Sequence, residues 1–64
     1  MNRRDLERHL RGQGCVLHHH GGRHDIWLNP RNLAQAPVPR RRQIKRGTIH
    51  GICRILGISL PVGL

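Results

Sequence analysis

The chain of 64 residues is short enough that we predict a single domain over 1–64, and a chain of this length buries only about 60% of its unfolded surface. One thin core is therefore expected, which excludes a deep pocket for a small substrate. Lys and Arg number 12 against 3 Asp and Glu, a formal charge of +9, and all of the twelve except Lys45 are Arg. Because guanidinium groups suit phosphate, nucleic acid is the leading partner class, ahead of acidic protein and anionic membrane.

The cysteines and the apolar segments indicate where the protein works. Cys15 and Cys53 lie in separate apolar runs, and we interpret them as small buried side chains in a reducing compartment. The basic N-terminus lacks the apolar run of a signal peptide, and the apolar stretch 55–64 is too short to span a bilayer. We therefore expect a soluble, cytoplasmic protein with no membrane partner. The sequence leaves its oligomeric state open.

A helix is predicted over 2–12. Asn2 can cap its first turn, and Leu6 and Leu10 stand four residues apart, which gives one narrow apolar stripe. The glycines that follow can adopt the left-handed conformation that ends many helices. This first helix is expected to carry several exposed arginines.

Two strands, 15–20 and 23–28, are predicted on either side of a Gly-Gly pair, which is typical of a tight hairpin turn. In the second strand, Ile26 and Leu28 are expected to face the core. A regular strand would turn His24 the same way, whereas the first position after a turn can also lie at the rim. The sequence leaves both orientations of His24 open.

The second half of the chain supplies four further segments: a turn at 29–32, a strand at 33–38, a basic loop at 40–46 and a helix over 47–56. Pro37 places the third strand at an edge of the sheet. Gly47 or Thr48 can cap the second helix, Gly57 can end it, and the apolar tail after it can pack back on the core. The result is an α+β fold in the order α-β-β-β-α, with a small three-stranded antiparallel sheet and both helices on one face.

Several short motifs occur in this order over residues 3–60: Gly14, Gly22-Arg23-His24 with Ile26-Trp27, Val38-Pro39, and Lys45-Arg46-Gly47-Thr48 with Ile52 and Gly57-Ile58. Their order and spacing resemble the HicA-type toxins, the mRNA interferases of bacterial type II toxin–antitoxin pairs. The chain departs from that pattern in two ways. Arg23 stands where the family has Ser, and Arg40-Arg41-Arg42 follows Val-Pro where the family often has a His.

The resemblance implies a fold like that of double-stranded-RNA-binding domains and an endoribonuclease that cleaves mRNA without a metal or other cofactor. It also implies a partner, an antitoxin of the HicB type. The rival interpretation is a non-enzymatic RNA- or DNA-binding module, an inactive homologue of such a toxin. An acidic antitoxin encoded next to this chain would favour the toxin.

His24 is the residue to which we assign catalysis. RNA cleavage needs a base for the 2′-hydroxyl proton and an acid for the leaving oxygen, and an imidazole can serve either role near neutral pH. A structural alternative is a histidine at the end of a turn that only hydrogen-bonds nearby backbone. The neighbouring Asp25 is expected to be a surface partner of Arg23, because its side chain points away from His24 in a regular strand.

A basic set is expected to bind the phosphates of RNA and to stabilise charge on the phosphorus oxygens: Arg23, Arg40, Arg41, Arg42, Lys45 and Arg46. The alternative is a solvated loop, which the scarcity of acidic residues disfavours. Trp27 is expected in the core or at an antitoxin interface rather than stacked on a base.

A metal site in the run 18–20 is a third possibility, with His18 and His20 on one face of the strand and His24 across the hairpin. Structural zinc sites usually also include cysteine, and both cysteines lie elsewhere in the sequence. We therefore expect no metal site, and favour polar strand residues.

Overall fold

The computed structural model describes all 64 residues. Two helices and three strands follow one another along the chain: α1 (Arg3–Gly12), β1 (Val16–His20), β2 (His24–Asn29), β3 (Ala34–Pro39) and α2 (Arg46–Leu56). The strands form one antiparallel sheet in the order β1-β2-β3. The predicted α+β fold is confirmed, and each predicted element boundary lies within one residue of the observed one.

The first helix begins and ends as its sequence predicts. The Asn2 side-chain oxygen accepts the backbone N–H of Asp5 at 2.8 Å and so caps the first turn. Gly14 follows the last turn with φ of +87°, a left-handed conformation that favours glycine. Leu6 and Leu10 are fully buried.

The second helix differs from the prediction at its start. Its N-cap is Lys45, which makes no side-chain capping bond, so the expected cap by Gly47 or Thr48 is wrong. The end is as predicted, since Gly57 adopts φ of +69°. Asn29, at the end of β2, donates from its amide nitrogen to the Leu56 carbonyl at 2.8 Å, which ties the sheet to the last turn of the helix.

One core joins both helices to one face of the sheet. Its buried apolar members come from every element except β1: Leu6, Leu10, Cys15, Trp27, Ala36, Val38, Ile44, Ile49, Ile52, Cys53 and Leu56. Trp27 is the largest, so of the two predicted places, the core and an antitoxin interface, it occupies the core. The Arg11 guanidinium lies 5.2 Å from the centre of the indole ring, within the range of a cation–π contact.

The faces of β2 are opposite to those predicted. Asp25, Trp27 and Asn29 are buried, whereas Ile26 and Leu28 lie half-buried on the other side of the sheet. Trp27 offers far more apolar area than Ile26 or Leu28, so burying it gains more free energy. The two polar residues tolerate burial because each finds hydrogen-bond partners there.

Two further segments close the core. The N-terminus pairs with the loop before α2, where the Ile44 N–H donates to the Met1 carbonyl at 2.8 Å. The apolar tail returns to the core as predicted, with Ile58 and Leu64 packed against it. His9 donates from Nε2 to the Ser59 carbonyl at 2.6 Å and so holds the start of the tail.

Both cysteines are free and buried, which confirms their interpretation as small core residues. Burial raises the pKa of the Cys15 and Cys53 thiols, so the reactive thiolate is disfavoured. Neither helix has the length and apolar character needed to cross a membrane.

Candidate functional site

The hairpin between β1 and β2 determines where His24 stands. The Gly21 N–H donates to the His24 carbonyl at 2.7 Å, so the two strands approach closely at the turn. A Cβ on Gly21 would lie 2.8 Å from that carbonyl oxygen, which leaves no room for a side chain. Glycine is needed at this position because of close backbone approach, since neither glycine of the pair has positive φ.

The His24 side chain is exposed, on the face of the sheet away from the core. Successive residues of a strand point to opposite faces, and the next residue, Asp25, is buried. The orientation that the sequence left open is therefore outward. In the ladder His24 pairs with Pro39, the residue immediately before the basic loop. This register places His24 beside the start of the basic loop, because Arg40 and Arg41 follow Pro39 in the chain.

Beneath the hairpin, Asp25 is bound by two basic side chains. His20 donates from Nδ1 to its carboxylate at 2.8 Å, and Arg40 donates at 2.7 Å. The hydrogen bond from His20 and the charge and hydrogen bond of Arg40 outweigh burial and hold the pKa of Asp25 below its usual value. The expected pairing of Asp25 with Arg23 is therefore wrong, because the carboxylate lies on the core side of the sheet.

Arg40 also connects this pair to the hairpin turn. Its second terminal nitrogen donates to the Gly21 carbonyl at 2.9 Å and to the Gly22 carbonyl. Three acceptors thus occupy one guanidinium, which lies between β3 and the turn. These contacts fix the position of the turn relative to the start of the basic loop.

An open groove of about 820 Å³ lies beside His24. Five of the residues to which we assigned catalysis or phosphate binding line it together: Arg23, His24, Arg40, Arg41 and Lys45. Arg42 instead lines a neighbouring groove, and Arg46 lines neither. Three of the cations around His24 have no carboxylate partner, namely Arg23, Arg41 and Lys45.

Thr48 and Gln43 also line this groove, and sequence reasoning gave neither of them a role at the site. A signal for Thr48 was present, since it closes the Lys45-Arg46-Gly47-Thr48 motif that opens α2. Both side chains can donate hydrogen bonds to phosphate oxygens without adding charge. Gln43 had no local signal, because the loop pairs with the N-terminus through a contact distant in sequence.

The histidine run does not assemble a metal site. His20 is turned toward Asp25 on the core side of the sheet, whereas His24 lies on the opposite face. No three His, Cys, Asp or Glu side chains are grouped closely enough to hold a metal ion. A bulge between Leu17 and His19 further breaks the alternation on which a shared ligand face would depend.

Comparison with known proteins identifies the family to which this chain belongs. Residues 3–58 match the family model described as the HicA toxin of bacterial toxin–antitoxin systems. No curated protein and no solved structure gives a significant match. The matched range includes the hairpin, the sheet, the basic loop and both helices, which is nearly the whole chain. The chain therefore belongs to the HicA toxin family, the toxins of bacterial toxin–antitoxin pairs.

Proposed function

We propose that this toxin is an endoribonuclease that cleaves mRNA by metal-independent acid/base catalysis at His24. The observation that carries the proposal is an exposed imidazole in an open groove whose other charged side chains are all basic. An open, cationic groove suits a large polyanion better than a small apolar substrate. Family membership supports the same class of function.

The chemistry requires one proton to leave and one to arrive. His24 accepts the proton of a ribose 2′-hydroxyl, and the oxygen bonds to the adjacent phosphorus. The bond from phosphorus to the 5′ oxygen breaks with its electron pair on that oxygen, which takes up a proton from the imidazolium. Arg23, Arg41 and Lys45 bind the phosphates and stabilise the charge that develops on the phosphorus oxygens.

Other members of the basic set have different parts in this proposal. Arg40 presents a guanidinium that is largely occupied by Asp25 and the turn, so it contributes charge to the groove and holds His24 in place. Arg42 and Arg46 lie outside the groove and contact phosphates farther along the RNA.

A HicB-type antitoxin is the partner that we propose for the toxin. With a formal charge of +9, the toxin favours an acidic partner, and a protein seated over the groove would exclude RNA from His24. We propose that the pair works in the cytoplasm, where mRNA is accessible and thiols such as Cys15 and Cys53 stay reduced.

The rival function is RNA or DNA binding without cleavage. Arg23 and Arg41 stand where the family pattern has Ser and often His, so the groove is rich in binding groups and has a single imidazole. The same groove would then bind RNA and leave it intact.

Incubation of the purified protein with mRNA in the presence of EDTA distinguishes the two. We expect new fragments with the chelator present, and expression of the toxin alone to arrest growth until the neighbouring antitoxin is co-expressed. RNA that is shifted in a gel and stays intact would support the rival. Cleavage that EDTA abolishes would contradict the metal-independent mechanism.

A further inference from the structure

A second groove lies beside the one that contains His24. It is open, measures about 810 Å³, and has no apolar residue in its lining. Its walls are the first turn of α1, with Arg3 and Arg4, and the loop before α2, with Arg42. The two grooves share Arg40 and Gln43 in their linings, so they adjoin along the loop before α2.

The walls of this second groove are held rigidly against each other. The Arg3 backbone N–H donates to the Arg42 carbonyl at 3.0 Å, and its guanidinium donates to the Arg40 carbonyl at 3.1 Å. Asn2 and Gln43 pair as an isolated antiparallel bridge in the same place. A ligand therefore meets a surface that needs little ordering on binding.

Two of the four arginines in the second groove are free to bind an anion. Its only carboxylate is Glu7, which lies 3.8 Å from the Arg3 guanidinium. Arg4 and Arg42 are exposed and have no carboxylate partner. Two unpaired guanidinium groups in a polar groove can each contact a phosphate of an extended polyanion.

We propose that the second groove binds the sugar–phosphate backbone of RNA beyond the cleaved bond. One strand would lie in the groove of His24, pass over the Arg40–Gln43 segment, and place later phosphates against Arg4 and Arg42. This inference extends the proposed function, because it takes RNA as the ligand. It makes affinity depend on RNA length, since only a strand that spans both grooves gains the second set of contacts.

The test measures binding of 2′-O-methyl RNA, which lacks the 2′-hydroxyl proton and stays intact whether or not the protein is a nuclease. Oligonucleotides of about four and about twelve nucleotides are compared with the wild type and with the double variant Arg4→Gln, Arg42→Gln. We expect the variant to bind the longer strand about tenfold more weakly and the shorter strand as the wild type does. The negative slope of log K against log salt for the longer strand should become shallower by about 1.4 in the double variant.

Arg54→Gln is the matched control, because Arg54 is exposed on α2, has no carboxylate partner and lines neither groove. Circular dichroism verifies that the variants stay folded. The proposal would be overturned in favour of a diffuse charge effect by either of two results. One is an equal loss of affinity for both RNA lengths in the double variant. The other is a loss of affinity per removed charge in Arg54→Gln that equals the loss in the double variant. Unchanged RNA binding with weakened binding of polyglutamate would overturn it in favour of an acidic protein as the occupant.

Cleavage assays keep the two claims separate. If the wild type fails to cut unmodified RNA but the length-dependent loss is seen, the second groove is supported and the nuclease proposal fails. If the wild type cuts RNA and the double variant binds both lengths normally, the second groove fails and the nuclease proposal stands.

Discussion

His24 and Asp25 are adjacent in the sequence and have opposite environments. The imidazole is exposed in a basic groove, whereas the carboxylate is buried against the core side of the sheet with two hydrogen-bonded partners. Successive residues of a strand point to opposite faces, so these two neighbouring side chains lie on opposite sides of the sheet. Arg40 connects them, because it binds the carboxylate of one and the turn that precedes the other.

Replacement of Arg40 tests this connection. We expect Arg40→Gln to lower the free energy of unfolding by about 2 kcal/mol, because it removes charged hydrogen bonds to a buried carboxylate. The measurement is urea denaturation followed by circular dichroism. Arg41→Gln is the control, since Arg41 is exposed and makes no ion pair, and it should change stability by less than about 0.5 kcal/mol. Equal effects of the two substitutions would contradict the assigned role of Arg40.

The pH dependence of stability follows from Asp25. Hydrogen bonds from His20 and Arg40 hold its pKa below the ordinary value of 3.8. The unfolded chain therefore takes up a proton at higher pH than the folded chain, so this contribution to stability is complete only above about pH 5 and is lost progressively on further acidification. Thermal unfolding recorded from about pH 6 down to about pH 2 should show the loss.

The substitution Asp25→Asn should flatten that acid-side dependence, since the amide does not titrate. Asp5→Asn is the control, because Asp5 lies exposed on α1 and its ion pair with Arg8 is long, at 3.8 Å. An unchanged pH profile in Asp25→Asn would show that the buried carboxylate is not the titrating group.

Among the elements, the β1–β2 hairpin sets the position of the site. Its backbone approaches closely at the turn, its register places His24 opposite Pro39, and its outer strand is exposed along its whole length. Because β1 buries no side chain, the hairpin depends on backbone pairing, on the hydrogen bond from His20 to Asp25 and on Arg40. A change in the turn should therefore affect both stability and the position of His24.

The two glycines of the turn provide a matched pair of variants. In Gly21→Ala the new Cβ would lie 2.8 Å from the His24 carbonyl oxygen, so the hairpin must shift. We expect a loss of more than about 1 kcal/mol in unfolding free energy and a lower cleavage rate. Gly22→Ala meets nothing within 4 Å and needs no positive φ, so it should be close to neutral. Similar stability of both variants would contradict the requirement for close approach.

Across the whole molecule, charge is distributed so that most cations remain available to a ligand. All three side-chain carboxylates are already paired, Asp5 with Arg8, Glu7 with Arg3, and Asp25 with Arg40 and His20. Nine of the twelve Lys and Arg side chains therefore have no carboxylate partner. A surface of this kind attracts polyanions over a distance set by the salt concentration.

RNA affinity of the intact protein should accordingly fall steeply with salt. Contact with several phosphates predicts a slope of about −0.7 per phosphate in a plot of log K against log salt for a single strand. Fluorescence anisotropy of labelled RNA over about 50 to 200 mM salt measures it. A flat response would contradict an electrostatic footprint.

The parts of the fold that depend on local signals could be predicted from the sequence. The cap at Asn2, the left-handed glycines after both helices and the Gly-Gly hairpin each act within a few residues. Alternation alone predicted the wrong face of β2, because it did not weigh the large apolar area of Trp27 against Ile26 and Leu28. The burial of Asp25 and Asn29 depends on partners at Arg40 and Leu56, far away in the sequence. The alternation of apolar and polar residues along β2 favoured the face with Ile26 and Leu28, and it contains no information about those distant contacts.

The candidate site divides in the same way. Its charged residues and its histidine could be named from composition and motif, whereas their arrangement depends on the register of β3 against β2. Arg40, just after the end of that ladder, binds Asp25. The next residue, Arg41, lines the groove without an ion pair. Three consecutive arginines are equivalent in a sequence and have three different environments in the fold.

Cleavage of mRNA by His24→Ala tests the central claim most directly. The His24 side chain is exposed, so the variant should keep the circular dichroism spectrum and thermal midpoint of the wild type. His50→Ala is the matched control, an exposed histidine on α2 that lines neither groove. We predict that fragments disappear with His24→Ala, a loss of at least about a hundredfold in rate, and persist with His50→Ala. A folded His24→Ala protein that cuts RNA at the wild-type rate would contradict catalysis by this imidazole.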